Sequence, residues 1–212
     1  MIEHLFHRKI QLYIIVASLI SFLLIMLDVI FDGALTQLDK VVNQWFLENQ
    51  SEALHTIFFS ITKLGNLSTM LILSLVVTLF FLWRGYRAEI KLYWIGMLSS
   101  ALLFSGIKEL IGRTRPSSYI GDYFQHGYSF PSGHATMSMA FALLIFFTLY
   151  PRSSTIYKYI LLAFVVLFPL SISLSRLYLG VHYLSDVLGG LSLTIGSLFL
   201  VYRLLNKEEQ SS

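Results

Sequence analysis

Apolar runs of similar length, with few charges inside them, divide the sequence into regular segments. Runs of 16 or more uncharged residues recur, close to the roughly 17–25 residues that a helix needs to cross a hydrocarbon core. The pattern predicts an all-α, polytopic membrane protein. Its six transmembrane helices are expected at Ile10–Ile30, Leu67–Trp83, Leu92–Ile107, Ala135–Tyr150, Tyr159–Ser175 and Val187–Tyr202.

The stretch between the first two spans has a different pattern. From Leu35 to Leu64, apolar residues such as Val41, Val42 and Trp45 recur at helical spacing among polar ones. This periodicity favours an interfacial helix that leads into the second span, with a simple loop as the alternative. We therefore expect a cytoplasmic segment at 1–9, one six-span domain at 10–203 and a cytoplasmic tail at 204–212.

Composition supports the membrane assignment. Hydrophobic residues make up 56% of the 212 residues and charged residues 13%, whereas a soluble domain carries about 25% charged residues. The absence of cysteine excludes disulfides, thiolate metal sites and a cysteine nucleophile. Nucleic acid is not an expected partner because no soluble basic patch is available to bind it.

Basic residues predict the orientation in the membrane. If both termini are cytoplasmic, nine of the fifteen Lys and Arg residues fall in cytoplasmic segments, as the positive-inside rule requires. The six others are Lys40, Lys63, Lys108, Arg113, Arg115 and Arg176. Four of these six lie at span ends beside unusual polar clusters, so we interpret them as functional residues.

Three polar clusters fall on the same, extracytoplasmic side of the predicted bundle. They are Lys108–Pro116 after the third span, Pro131–His134 at the start of the fourth, and Ser175–Asp186 between the fifth and sixth. Helices three to six can therefore bring these groups together near the outer interface. The prediction is one site on the extracytoplasmic face of a cell membrane.

The cations of these clusters lie at or near membrane depth. An unpaired charge there costs about 2.5 kcal/mol or more, and Lys108, Arg115 and Arg176 have few acidic residues nearby. Arginine offers planar, bidentate donors for phosphate, and lysine adds a compact charge. An anionic ligand is the interpretation, and snorkelling of each cation towards lipid headgroups is the alternative.

Pro131-Ser132-Gly133-His134 opens the fourth predicted helix. Proline suits a first turn, serine is a good cap, and glycine lets a ligand approach the backbone. Free amides and the positive end of the helix dipole can then hold an anion, with His134 facing it. An ordinary helix cap accounts for the four residues equally well.

His182 and Asp186 are four residues apart and share one helical face. A carboxylate that accepts a hydrogen bond from one imidazole nitrogen makes the other nitrogen a better base or nucleophile. A structural pair is the alternative. A metal site formed with His134 is a third option, which the surrounding cations disfavour because they repel a divalent ion.

Together these residues resemble a known family. Lys108-x6-Arg115-Pro116, Pro131-Ser132-Gly133-His134 and Ser175-Arg176-x5-His182-x3-Asp186 are similar to the three-part signature of the type 2 phosphatidic acid phosphatase superfamily. That superfamily also includes soluble bacterial acid phosphatases and vanadium haloperoxidases. Every signature position is present in this chain.

The resemblance implies a role for each position. His182 would attack phosphorus and become phosphohistidine, Asp186 would orient it, and His134 would protonate the leaving oxygen and later activate water. The phosphoryl oxygens would be held by Lys108, Arg115, Ser132, Gly133 and Arg176. No cofactor is implied, and Arg113 lies outside the signature.

The expected function is therefore a metal-independent lipid phosphate phosphatase. Candidate substrates are phosphatidic acid, phosphatidylglycerophosphate and undecaprenyl pyrophosphate. The loops are too short to form a soluble substrate-binding domain, and the site opens at the membrane interface, so an amphiphilic substrate fits best. Two alternatives remain at this stage: a phosphotransferase that uses a polyprenyl donor, and a non-enzymatic anion or lipid transporter. The sequence leaves the oligomeric state open, as it does the role of the 116–130 loop.

Overall fold

The computed structural model describes residues 7–116 and 125–208, and this part of the chain contains only helices, turns and irregular segments. Residues 117–124, most of the 116–130 loop, lie outside the described residues, as do residues 1–6 and 209–212. The helices are α1 (Arg8–Ile30), α2 (Ala34–Glu48), α3 (Glu52–Lys63), α4 (Leu67–Trp83), α5 (Arg87–Ile111), α6 (Gly133–Leu149), α7 (Thr155–Tyr178) and α8 (Leu184–Glu208), with a 3-10 turn at Tyr150–Arg152.

The predicted spans all coincide with helices. Five segments of the described residues are long and apolar enough to cross a membrane: α1, α5, α6 with the 3-10 turn that follows it, α7 and α8. Helices α3 and α4 meet at a bend of 51° and form a sixth candidate when counted as one broken span. The all-α, multi-pass prediction is confirmed, and several helices extend a few residues beyond the predicted spans.

The region predicted as one interfacial helix is two helices, α2 and α3. Asn49, Gln50 and Ser51 separate them. Ser51 has extended backbone angles (φ −141°, ψ 152°), and its hydroxyl accepts a hydrogen bond from the Leu54 amide at 3.2 Å. An N-cap of this kind starts a new helix and breaks the previous one. The apolar periodicity alone does not reveal the break, because it continues on both sides.

Helix α6 is the centre of the bundle. In the most apolar 18-residue stretch of this span, 72% of the residues are buried, whereas 11% are buried in the corresponding stretch of α1. Its small residues and aromatic rings pack against α5, α7 and α8, and Gly96 of α5 leaves just enough room for Leu144. A helix that is apolar on every face belongs in such a position. The N-terminus of α6, which carries His134, is thereby held in the middle of the other helices.

Helix α2 is fixed to the bundle at its first turn. The Asp28 carboxylate, from α1, accepts hydrogen bonds from the amides of Leu35 and Thr36 at 3.1 and 2.8 Å, and from the Thr36 hydroxyl at 2.9 Å. These amides are among the helix donors that have no partner within the helix. The contact sets the start of α2, and with it the position of Asp39 one turn later.

Candidate active site

Two of the polar clusters are joined through the backbone. The Ser132 amide donates to the Asp186 carbonyl oxygen at 2.9 Å, so the N-terminus of α6 is tied to α8. Ser132 is fully buried, and its hydroxyl accepts from the Ala135 amide as the N-cap of α6. A Cβ on Gly133 would lie 3.0 Å from the Phe104 ring, so glycine suits this close contact.

His182 and Asp186 form the expected pair. His182 Nδ1 lies 3.2 Å from Asp186 Oδ2, and both side chains are almost completely buried. The other ring nitrogen, Nε2, lies 3.1 Å from Arg115 Nη1. A guanidinium can only donate, so Nε2 is the acceptor and Nδ1 carries the proton that is donated to Asp186. The lone pair of His182 is therefore on Nε2.

The three signature cations near His182 are held in different ways. Backbone carbonyls fix Lys108, whose Nζ donates to the oxygens of Tyr128 and Ser129 at 2.8 and 3.1 Å. Arg115 donates to carbonyl oxygens of the 125–130 and 179–183 segments. Arg176 is fully buried, and its Nη1 donates to the Thr62 hydroxyl of α3 at 2.6 Å. These contacts hold three positive charges near one histidine.

The charges affect the ionisation of His182. Burial lowers its pKa well below the usual range, and the positive charges of Arg176, Arg115 and Lys108 lower it further. A neutral imidazole is the form that can attack an electrophile. The same charges would be compensated by an anionic ligand, so the pocket favours a neutral histidine together with a bound anion.

His134 faces the same pocket and has its own partner. Its Nε2 lies 3.1 Å from Oδ1 of Asn66, the residue immediately before α4. The pocket has a volume of about 290 Å³. The polar residues that line it are Lys108, Arg115, Gln125, His126, His134 and His182. The apolar residues that line it are Leu67, Met70, Phe104 and Met137, from α4, α5 and α6.

The structure brings the predicted site residues into one region, in two layers. Lys108, Arg115, Gly133, His134 and His182 line the pocket. Ser132, Arg176 and Asp186 are fully buried behind it. The described residues contain no group of three or more His, Cys, Asp or Glu side chains that could hold a metal ion.

Arg113 is the centre of a buried ionic network that the motifs did not include. Its Nη1 lies 2.6 Å from Asp186 Oδ1, and its Nη2 lies 2.7 Å from Asp39 Oδ2. Ser185 bridges the same groups, because its amide donates to Asp39 and its hydroxyl contacts Asp39 and Arg113. Burial alone would lower the pKa of Arg113, but the two carboxylates raise it above its usual value. The network links α2 to the carboxylate behind His182.

Sequence reasoning identified Arg113 only as a neighbour of the signature and missed Asp39, Asn66 and Thr62. Asp39 lies in the amphipathic 35–64 segment and Asn66 directly before the second predicted span, and neither received a role. The sequence contains one signal for Asp39, because it is an acidic residue in a segment predicted to lie on the same side of the membrane as the clustered cations. No local pattern marks Asn66 or Thr62, because each contacts its partner from about seventy or more positions away in sequence.

Comparison with known proteins supports the family resemblance of the sequence. The model of the PAP2 superfamily matches residues 89–210, more than half of the chain. Phosphatidylglycerophosphatase B of Bacillus subtilis is 29% identical over 188 residues, which cover 87% of this chain and 91% of that protein. Lipid A 1-phosphatase of Rhizobium etli is 32% identical over 125 residues, 51% of this chain and 50% of that protein.

Solved structures agree in fold. The transmembrane PAP2-type phosphatidylglycerolphosphate phosphatase of Bacillus subtilis superposes with a TM-score of 0.80 at 26% identity, over 92% of this chain and 97% of that one. LpxE of Aquifex aeolicus gives a TM-score of 0.61 at 22% identity, over 82% of this chain and 97% of that one, which is a likeness of fold. This chain is a multi-pass membrane protein that belongs to the PAP2 superfamily.

Proposed function

We propose that this protein is a lipid phosphate phosphatase that works through a phosphohistidine on His182. The observation that carries the proposal is the state of His182: Nδ1–H faces Asp186, and the Nε2 lone pair faces a cation-rich pocket. His134 lines the same pocket. A nucleophile, a carboxylate that orients it, and a separate acid–base group are the parts that covalent phosphoryl transfer requires.

In the first step, His182 Nε2 attacks phosphorus and forms an N–P bond while the P–O bond to the lipid breaks. His134 gives a proton to the departing oxygen, which leaves as an alcohol or as a lipid phosphate. The imidazole then carries both a phosphoryl group and the Nδ1 proton, so it is positively charged, and Asp186 stabilises that charge. Arg115 must leave Nε2 and turn to the phosphoryl oxygens, where Lys108 and Arg176 add further charge stabilisation.

In the second step, water attacks the phosphohistidine. His134, now neutral, takes a proton from that water as the new O–P bond forms and the N–P bond breaks. Inorganic phosphate leaves, and His182 returns to its neutral state with Nδ1–H on Asp186. The proton that His134 lost in the first step is thereby restored.

The pocket favours an amphiphilic substrate. Its lining combines cations and histidines with apolar side chains of α4, α5 and α6, helices that can cross or border the membrane. A phosphorylated headgroup suits the charged residues, and the start of a hydrocarbon chain suits the apolar ones. The related proteins act on phosphatidylglycerophosphate and lipid A, judging by their names, and we extend lipid phosphates as a class to this chain.

The proposed reaction needs no metal. The phosphoryl charge is balanced by guanidinium and ammonium groups, which perform the electrostatic task that metal ions perform in other phosphatases. We also place the pocket on the extracytoplasmic face, with both termini in the cytoplasm, because that orientation leaves most Lys and Arg residues inside.

The test uses purified protein with phosphatidic acid, phosphatidylglycerophosphate and undecaprenyl pyrophosphate, and measures released phosphate. His182→Ala is expected to abolish turnover of all three, because no other group accepts the phosphoryl. With labelled substrate, an acid-labile, base-stable adduct should form on the wild type and be absent from His182→Ala. His7→Ala, at the exposed start of α1, is the matched histidine control and should retain full activity.

Two results would refute the proposal. One is an adduct that persists in His182→Ala. The other is transfer of the label to a second lipid without release of free phosphate, which is the outcome that a phosphotransferase would give.

A further inference from the structure

The break between α3 and α4 contacts the proposed acid–base histidine from outside the three motifs. Asn66 Oδ1 lies 3.1 Å from His134 Nε2. The preceding residue, Gly65, is buried and packs directly against the same ring. We propose that Asn66 and Gly65 are positioning residues that set the tautomer and the orientation of His134. This inference rests on the proposed function, because it assigns these residues to the acid–base step of that reaction.

The side chain of Asn66 does not make the contact that its position predicts. Asn66 is the N-cap residue of α4, with extended backbone angles (φ −65°, ψ 148°), yet its side chain makes no cap hydrogen bond. Asparagine is among the best N-cap residues because its oxygen can accept from the first free amides of a helix. Here that oxygen contacts His134 instead. A side chain that gives up a favourable local contact for a distant one is explained by the function of its distant partner.

The contact determines which nitrogen of His134 holds its proton. A carboxamide oxygen can only accept, so Nε2 must carry the hydrogen that it receives. Nδ1 is then the nitrogen that gives a proton to the leaving oxygen and takes one from water. The neutral form of His134 is fixed as the Nε2–H tautomer between the two steps.

The two histidines have partners of different charge, and this difference matches their different tasks. Asp186 is a carboxylate behind His182, which must bear a positive charge as phosphohistidine. Asn66 is neutral, so it orients His134 without adding a negative charge that would hold the proton on the ring. A histidine that gives up one proton and takes one back in each turnover works best when no neighbouring charge strongly favours either its protonated or its neutral form.

Gly65 provides the space for this arrangement. A Cβ at position 65 would lie 2.6 Å from His134 Cδ2 and 3.0 Å from Ile172 Cγ2. Ile172 is fully buried in α7, so it has little room to move, and the imidazole would have to shift. Alanine at position 65 should therefore displace His134 in the same way as loss of the Asn66 contact.

The experiment compares an alkyl phosphate, phosphatidic acid, with an aryl phosphate whose leaving group departs as a stable anion. Asn66→Ala should lower kcat on the alkyl substrate by about 10- to 100-fold, the loss seen when a metal-bound histidine loses its hydrogen-bond partner. On the aryl substrate, formation of phosphoenzyme should change little, because that leaving group needs no proton. Gly65→Ala should give the same pattern. In a His134→Ala background, Asn66→Ala should cause no further loss on the alkyl substrate.

Two further variants separate positioning from helix capping. Asn66→Ser keeps a good N-cap residue but is too short to reach His134, so it should behave like Asn66→Ala. Asn66→Asp keeps an acceptor oxygen at the same length, so it should keep the Nε2–H tautomer, but its negative charge should hold the proton on the ring and slow turnover of the alkyl substrate. Recovery in Asn66→Ser, equal losses on both substrates, or additive losses with His134→Ala would each overturn the inference.

A readout without turnover separates this inference from the proposed function. Nitrogen NMR of protein labelled at histidine should report the Nε2–H tautomer for neutral His134 in the wild type and a mixture of tautomers in Asn66→Ala. Phosphate release by the wild type together with an unchanged His134 tautomer in Asn66→Ala would overturn the positioning role and leave the phosphatase proposal intact. A changed tautomer in a protein that releases no phosphate would refute the phosphatase proposal and leave the contact established.

Discussion

Replacement of Arg113 by alanine tests the buried network directly. Arg113 is 11% exposed and bridges two carboxylates that are almost fully buried, Asp39 (1%) and Asp186 (0%). Alanine removes the single cation between them and leaves both acids without that partner. The remaining donors to these carboxylates, from Ser129, Ser185, Tyr183 and His182, do not supply a compensating fixed charge.

The expected loss follows from the burial. Removal of one member of a buried ion pair costs about 3–5 kcal/mol, because the partner is left uncompensated. In a chain of this length, each kcal/mol corresponds to about 2–4 °C in Tm, so the melting temperature should fall by about 6–20 °C. Turnover should fall as well, since Asp186 is the group that orients His182.

Thermal unfolding in detergent, followed by circular dichroism, measures the loss. Arg152→Ala is the matched control, because Arg152 pairs with Glu89 at the surface, where the two side chains are 41% and 17% exposed. Such a pair is worth about 0–1 kcal/mol. The control should therefore change Tm only slightly.

A double substitution tests whether the stranded charge is the cause. Asp39→Asn removes one of the two buried acids, so Arg113→Ala combined with Asp39→Asn should be less destabilised than the sum of the single changes. Additive effects, or a loss for Arg113→Ala no larger than that for Arg152→Ala, would show that the network does not stabilise the fold in this way.

Three further predictions concern the reaction and its orientation. Activity should survive excess EDTA and be inhibited by vanadate, a mimic of five-coordinate phosphorus; loss on chelation that one divalent ion restores would refute the metal-free reaction. Because the pKa of His182 is lowered, the acid limb of kcat/KM, corrected for substrate ionisation, should lie below about pH 6.5, the ordinary histidine value, and Arg115→Gln should move it to higher pH by removing a nearby positive charge. In this cysteine-free chain, Asn49→Cys should react with an impermeant maleimide in intact cells and Ser154→Cys should not, and the opposite pattern would invert the topology.

Sequence alone was sufficient for the spans and for the candidate residues of the site. The thickness of the membrane sets the length of an apolar run that crosses it as a helix, so each predicted span coincides with a helix. Some motif residues, such as Arg176, are recognisable because a charge at membrane depth is costly. Others, such as His182 and Asp186, are recognisable by their helical spacing. These signals are local, and a local signal can be read from the chain itself.

The tertiary structure alone decided which groups hold the two histidines. Asp39 meets Arg113 across 74 positions in sequence, and Asn66 meets His134 across 68. No periodicity connects such residues, because the contacts arise only when α2 and the α3–α4 break fold over the ends of α6 and α8. The break between α2 and α3 escaped prediction for a related reason: the cap at Ser51 is a matter of backbone geometry, while the apolar pattern continues through it. Local chemistry thus marks the candidate site residues, and the packing of distant helices determines how those residues are oriented.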